Sequence, residues 1–330
     1  MYLFFFGFTG LIGSSIFNHF ANLNYFKKIF LFTRRSNLDP IFNNFNNIEI
    51  IKYSELNTDL INNLINKIIN TNSIEAKEFM VFNFVGENIF GYINKSKYEK
   101  IYKSRVEFNK KLVNIFNSIS KRPYIFFSAS AIGYYSNLTD IEEPIDEEYF
   151  LRNNIENSSL MSKLCLEWEK VTHELEGSNV FNLRLGVVLD KDALFVKMLK
   201  INSYLGLGLT FDDPFLPWIY SKEITLIIEF LINYTTNNNL NNIKQPINVV
   251  NPNILRFSEF LKILIKKYRK LPMNLVIKIP RSFVKLITKL LMGKYYEIPF
   301  SLLISLNIKP NFLLNTGYNF RYNYLEELDL

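Results

Sequence analysis

The 330-residue sequence contains one cysteine, Cys165, and two histidines, His19 and His173. A lone thiol excludes an internal disulfide framework and suits a reducing compartment, so the cytoplasm is the expected location. With so few soft ligands, no cluster has metal-ligand spacing and no zinc site is expected; both histidines read as ordinary helix residues. No apolar run reaches bilayer-spanning length. The opening stretch Tyr2 to Phe8 lacks a preceding basic region and a small-residue cleavage site and breaks at Gly7, so it reads as a strand and not as a signal sequence. Glycine and alanine are scarce while Asn, Ile, Lys, Phe and Tyr abound, a compositional drift that blurs motifs. The net charge of +7 comes from basic residues scattered along the chain. They form no arm or tract, so nucleic acid is not an expected partner, and an anionic ligand accounts for part of the excess. With 48% hydrophobic residues the chain can bury a large core.

What is present begins at once. The apolar run Tyr2 to Phe6 enters the turn Gly7-Phe-Thr9-Gly10-Leu11-Ile12-Gly13, after which Ile12, Ile16, Phe20 and Leu23 recur at helical spacing. A buried strand, a turn without side chains and a helix whose first amides face that turn make a seat for a pyrophosphate, and the opening is that of a dinucleotide-binding unit. A second strand, Lys28 to Thr33, ends in Arg34-Arg35. An acid about 20 residues past the glycines would accept hydrogen bonds from ribose hydroxyls, whereas a guanidinium suits a 2′-phosphate. Arg34, with Arg35 in support, therefore favours NADP, with NAD second; Asp39 stands too far along to compete equally.

The next segments alternate strand and helix signals. Ile48 to Tyr53 reads as a strand and Leu60 to Asn70 as a helix. Phe79 to Gly86 reads as a fully buried parallel strand carrying Asn83, Val85 and Gly86. One helix holds Ile101, Phe108, Leu112, Ile115 and Ile119, and a strand from Tyr124 ends in Ser128 and Ser130, followed by Tyr134 and Tyr135. The fold class is α/β, a Rossmann-type doubly wound parallel sheet. Ligands in such sheets bind beyond the carboxyl ends of the strands, where Gly10, Asn83 and Ser130 should converge.

At these residues the chain resembles the atypical extended short-chain dehydrogenase/reductases, in the sugar-nucleotide epimerase-like branch that carries a C-terminal domain of unknown function. The resemblance runs through Gly-Phe-Thr-Gly-Leu-Ile-Gly, Asn83-Phe-Val-Gly86-Glu87, Ser104-Arg105, Ser128-Ala-Ser130-Ala-Ile-Gly-Tyr134-Tyr135, Trp168-Glu169, Leu183-Arg184-Leu-Gly186, Trp218-Ile219 and Gly317-Tyr-Asn-Phe320-Arg321-Tyr322. It implies a nicotinamide-binding domain over residues 1–240 and a smaller, mostly helical substrate-side region over 241–330. The cofactor contacts it implies come from Gly7 to Gly13, Arg34, Arg35, Asn83, Val85, Gly86 and Ser128.

Classical short-chain members use a Ser, a Tyr and a Lys, with the Tyr and Lys separated by three residues on one helix. The Lys lowers the phenol's pKa and binds the ribose, the Tyr moves the proton that accompanies hydride transfer, and the Ser polarises the substrate oxygen. Ser130 and Lys163 match, but Ser159 stands where the Tyr belongs. Either Tyr134 or Tyr135 carries the proton in an NADP-dependent oxidoreductase or epimerase of a small polar metabolite such as a nucleotide sugar, or the chain keeps the cofactor as a silent sensor. The substrate pocket would draw on Glu87, Arg105, Arg184, Lys197, Trp218 and Tyr220. The expected partners are the substrate and, at most, a second copy of the chain as a homodimer. One further feature is the basic amphipathic stretch Arg281 to Met292: its apolar face is expected to pack on the body of the protein, the alternative being an anionic membrane surface.

Overall fold

The computed structural model describes residues 1–330 apart from 24, 44, 72–78, 139–140 and 301–303, and apart from the side chains of 43, 67–71 and 299–300. Its centre is a seven-stranded sheet: β1 (Tyr2–Phe6), β2 (Lys28–Thr33), β3 (Ile48–Lys52), β4 (Phe79–Asn83), β5 (Ile125–Ala131), β6 (Asn179–Leu185) and β7 (Lys244–Val249). The spatial order is β7-β6-β5-β4-β1-β2-β3 and every pairing is parallel. The order reverses between β1 and β4, which opens the ligand crevice of a doubly wound sheet at that point. Register aligns Phe6 with Asn83, Asn83 with Ser128, and Ser130 with Arg184, so the candidate residues share one end of the sheet.

All five residues of β1 and of β4 are buried, as both-face coverage of a parallel strand requires. The drift toward phenylalanine is absorbed by ring packing: Phe6 stacks on Phe32 at 4.4 Å between centroids, and Phe82 meets Phe127 edge-on at 5.2 Å. The strand expected to run to Gly86 stops at Asn83, which leaves Val85 and Gly86 in the loop over the crevice.

Helices α1 (Leu11–Asn22), α2 (Thr58–Thr71), α3 (Lys95–Tyr102), α4 (Phe108–Ser118), α5 (Leu160–His173), α6 (Leu194–Tyr204), α7 (Ser221–Asn237), α8 (Phe257–Tyr268) and α9 (Arg281–Met292) are the longer ones. The single helix expected through Ile101 and Ile115 is two, joined by a π-turn at Lys103–Glu107. Asn109 donates from its side-chain amide to the Arg105 carbonyl at 2.8 Å, the kind of insertion into the backbone ladder that widens a turn.

The seventh strand lies past residue 240, so the boundary expected there falls within the chain that builds the sheet. Outside the central sheet, short strands join segments from both sides of residue 240. Ile141–Ile145 pairs with Leu306–Ile308, Phe215–Leu216 with Leu255–Arg256, and Leu207–Phe211 with Leu275–Ile279. The expectation for Arg281 to Met292 is overturned. The helix forms, but none of its residues is buried and its apolar face points to solvent, with Leu290 77% exposed.

Candidate functional site

Gly7 ends β1 with φ +82°, and a side chain there would meet the Phe84 carbonyl carbon at 2.4 Å. A side chain at Gly13 would stand 2.2 Å from the Gly7 carbonyl oxygen, so this glycine lets α1 start directly against the strand end. Gly10 differs. Its nearest neighbour would be 3.6 Å away and it is exposed, so the protein itself does not require a glycine there. It is the N-cap of α1 in extended conformation, with no side-chain cap and no acid in the first turn, which leaves the first amides and the positive end of the helix to an anion. Leu11 and Ile12 turn their side chains into the flanking apolar clusters, so it is their backbone that faces the turn.

Beside this turn opens a cavity of about 310 Å³ lined by Thr9, Ser14, Asn18, Arg35, Asp39 and Phe42, among others. Arg35 lines it and Arg34 does not, the reverse of the weight given to the pair from the sequence. Both are exposed, and the turn is fixed where the Arg35 amide donates to Thr33 Oγ1 at 3.0 Å. Asp39 shares the cavity, with one carboxylate oxygen accepting from the Ile41 amide at 3.0 Å.

Asn83 and Ser128 are buried, and their side chains serve the protein and not an open crevice. The Asn83 amide donates to Asn109 Oδ1 at 2.9 Å while its oxygen accepts from the Val85 amide at 3.2 Å; Ser128 donates to the Ala129 carbonyl at 3.1 Å. They shape the Val85-Gly86 loop from beneath. Arg105 clamps it from the other side, donating to the Glu87 carbonyl at 2.9 Å and lying 3.3 Å from where a Gly86 side chain would begin. Burial against Trp168 lowers the Arg105 pKa to about 10, and among the described residues no carboxylate pairs with it. The Glu87 carboxylate is held by Lys97.

The hydroxyl end of β5 leads into a buried polar network. Ser130 Oγ donates to Glu169 Oε1 at 2.7 Å, and Arg184 grips the same carboxylate through Nε at 2.9 Å and Nη2 at 2.8 Å. Ser130, expected to meet substrate, thus has its proton engaged by Glu169. Tyr135, expected to share the proton-carrier role, is fully buried: its oxygen accepts from Arg184 Nη1 at 2.7 Å and donates to Asn248 Oδ1 at 2.8 Å. Burial pushes its pKa far up, and with no exposed surface its hydroxyl is committed to these internal partners. Tyr134 is only half-buried, with the Arg184 guanidinium 3.6 Å from its ring centre; burial raises its pKa and that guanidinium pulls it back.

Ser159 is the N-cap of α5, accepting from the Ser162 amide at 3.1 Å, and its hydroxyl is shared with Ser136 at 2.7 Å. The position where the resemblance implies a Tyr is here a helix-capping position, which suits serine. Lys163 lies one turn on, exposed, with no hydrogen-bond partner for its ammonium among the described residues.

Of the residues expected to line a substrate pocket, Trp218 and Tyr220 are buried in an apolar cluster, Arg184 is in the ion pair, and Lys197 pairs with Asp192. Sequence reasoning assigned no role to Glu169. The signal was available: Met161, Leu164, Cys165, Trp168 and Thr172 mark the inner face of α5, and Glu169 falls on that face. The described residues include no group of metal-ligating side chains and no helix long and apolar enough to cross a membrane.

No protein-family model matches the chain. It is 26% identical over 172 residues to epimerase family protein SSP1921 of Staphylococcus saprophyticus, covering 51% of this chain and 56% of that one. It is 23% identical over 257 residues to epimerase family protein SERP0438 of Staphylococcus epidermidis, covering 74% and 76%. The first of these matches thus spans only about half the relative's length. The structure superposes on human epimerase family protein SDR39U1 (isoform 2), solved with NADPH, at a TM-score of 0.68 and 19% identity, over 99% of this chain and 97% of that one. The chain is thus similar to proteins named as epimerase family members and shares the fold of the human one.

Proposed function

We propose that the protein binds NADP(H) across the Gly7 to Gly13 turn and acts as an NADP-dependent oxidoreductase or epimerase on a small polar metabolite, a nucleotide sugar being the class the resemblance favours. The observation that carries the reading is the uncapped start of α1 at Gly10 opening beside a cavity lined by Arg35. Gly10 admits a pyrophosphate to the helix amides, and Arg35 meets a 2′-phosphate with its guanidinium. Asp39 sits close enough to take a ribose hydroxyl, which leaves room for NAD as the weaker ligand. The human neighbour was solved with NADPH, which supports the same choice.

When bound, the nicotinamide supplies hydride donation and acceptance. The protein's own part is proton handling and orientation. Tyr134 holds the proton, and Arg184 beside its ring favours the phenolate left when that proton moves. Glu169 keeps Arg184 in place, and Ser130 polarises a substrate oxygen once its hydroxyl is released from Glu169. Lys163 is the ammonium available to the nicotinamide ribose. The test is NADPH oxidation against a panel of carbonyl compounds that includes keto sugars on nucleoside diphosphates. Turnover that falls about 10²- to 10⁴-fold in Tyr134→Phe, with NADPH affinity retained, supports the assignment.

A second reading has its own support: Ser159 is spent on a helix cap and Ser130 on Glu169, as in a protein that keeps the cofactor and has given up hydride chemistry. NADPH binding without turnover of any panel member, unchanged in Tyr134→Phe, favours that sensor.

A further inference from the structure

Between Glu259 and Glu297 the sequence holds ten Lys and Arg residues and no Asp or Glu, so this one segment exceeds the net charge of +7 carried by the whole chain. Helix α9 lies inside it. Arg281, Val284, Thr288 and Met292 form the half-buried side of the helix toward the body. Phe283, Leu286, Ile287, Leu290 and Leu291 form a separate face between 40% and 77% exposed. That spacing is a complete apolar stripe with nothing upon it among the described residues. The ribbon that leads directly into α9 continues the surface: Leu275, Ile277 and Leu209 are each more than 40% exposed, and Ile277 pairs with Leu209 in register.

Exposed apolar area of this kind marks a docking surface. Charge decides its occupant. A second copy of the chain meeting this face about a two-fold axis would bring like-charged lysines together, since the same patch would contribute from both sides. An anionic bilayer offers acyl chains to the leucines and phosphates to the lysines at once. We propose that α9 and its adjoining ribbon dock the protein on an anionic lipid surface, with the Phe283 to Leu291 face at the boundary between headgroups and acyl chains. The twelve-residue helix lies along the surface and does not span it.

The test is flotation of the full-length protein with vesicles of phosphatidylcholine alone and of phosphatidylcholine containing phosphatidylserine. The protein should float with the phosphatidylserine vesicles and stay behind with the neutral ones, and raising the salt should release it. Leu286→Glu with Leu290→Glu should abolish flotation. Lys289→Glu with Lys294→Glu should lower the partition coefficient about tenfold or more. All these side chains are exposed, so unchanged NADPH titration and thermal melting show that the variants fold. Absence of flotation with phosphatidylserine vesicles, or flotation unaffected by the leucine substitutions, overturns the proposal. So does a wild-type dimer that stays off vesicles and becomes a monomer in the leucine variant, which assigns the face to a second copy.

Discussion

The Glu169 carboxylate, 4% exposed, is the hinge of the polar network at the end of β5, because Ser130 and Arg184 both depend on it. Removing one member of a buried ion pair strands the other, so Glu169→Gln is expected to cost about 3 to 5 kcal/mol in urea unfolding, whereas Ser130→Ala, which loses one hydrogen bond, costs about 1 kcal/mol. An equal cost for the two would mean that the Arg184 charge finds another partner. His173 gives a prediction in pH. Its Nε2 lies 2.8 Å from the Asn182 side-chain nitrogen, whose oxygen already accepts from Thr172, so the ring nitrogen must accept and the ring is neutral. Burial lowers its pKa below 6.5, with Lys244 and Arg184 adding to the effect and Glu169 opposing it. A base with a depressed folded-state pKa contributes stability that is present above the unfolded value and lost as pH falls through the folded one. Unfolding free energy should therefore decline below about pH 6.5 more steeply in the wild type than in His173→Gln, and parallel profiles would contradict it. Of this residue-level detail the sequence made Ser130 and Arg184 visible as candidates. The inner-face spacing of α5 marks Glu169 as facing inward, but that it meets Ser130 and Arg184 depends on how the helix sits against the sheet, which no local pattern encodes.

At the scale of elements, the glycine turn separates two requirements. Gly13→Ala drives a methyl group onto the Gly7 carbonyl, so both stability and NADPH binding should fall. Gly10→Ala meets only an ordinary contact with the Gly7 carbonyl oxygen at 3.6 Å, so its melting temperature should stay near that of the wild type while NADPH affinity drops. A Gly10→Ala protein that binds NADPH as tightly as the wild type would show that no phosphate approaches that turn. The strands and helices around it were legible because buried parallel strands read as continuous apolar runs, and β2 falls on the residues expected. The π-turn before α4 was not, since the spacing of apolar residues is the same through it and only a side-chain bond, from Asn109 to the carbonyl four residues back, accompanies it. Helix α9 was legible as an amphipathic helix. Its solvent-facing apolar side was not, because amphipathic spacing is the same whether the face meets a protein core or a lipid surface.

At the scale of the whole molecule, the sheet collects the ends of β1, β4, β5 and β6 along one edge, and the glycine turn and the Tyr134–Arg184 pair both lie there. The expected division at residue 240 missed β7 because one sheet draws its last strand from beyond a long helix, and segments from both sides of that point pair with one another. The account rests on that edge being an NADP(H) site. The most direct measurement is fluorescence titration of the purified protein with NADPH and with NADH, for the wild type, Arg35→Ala and Arg34→Ala. The account predicts tighter binding of NADPH, a preference lost in Arg35→Ala and largely kept in Arg34→Ala. Failure of the wild type to bind either nucleotide, or a preference untouched by Arg35→Ala, would contradict it.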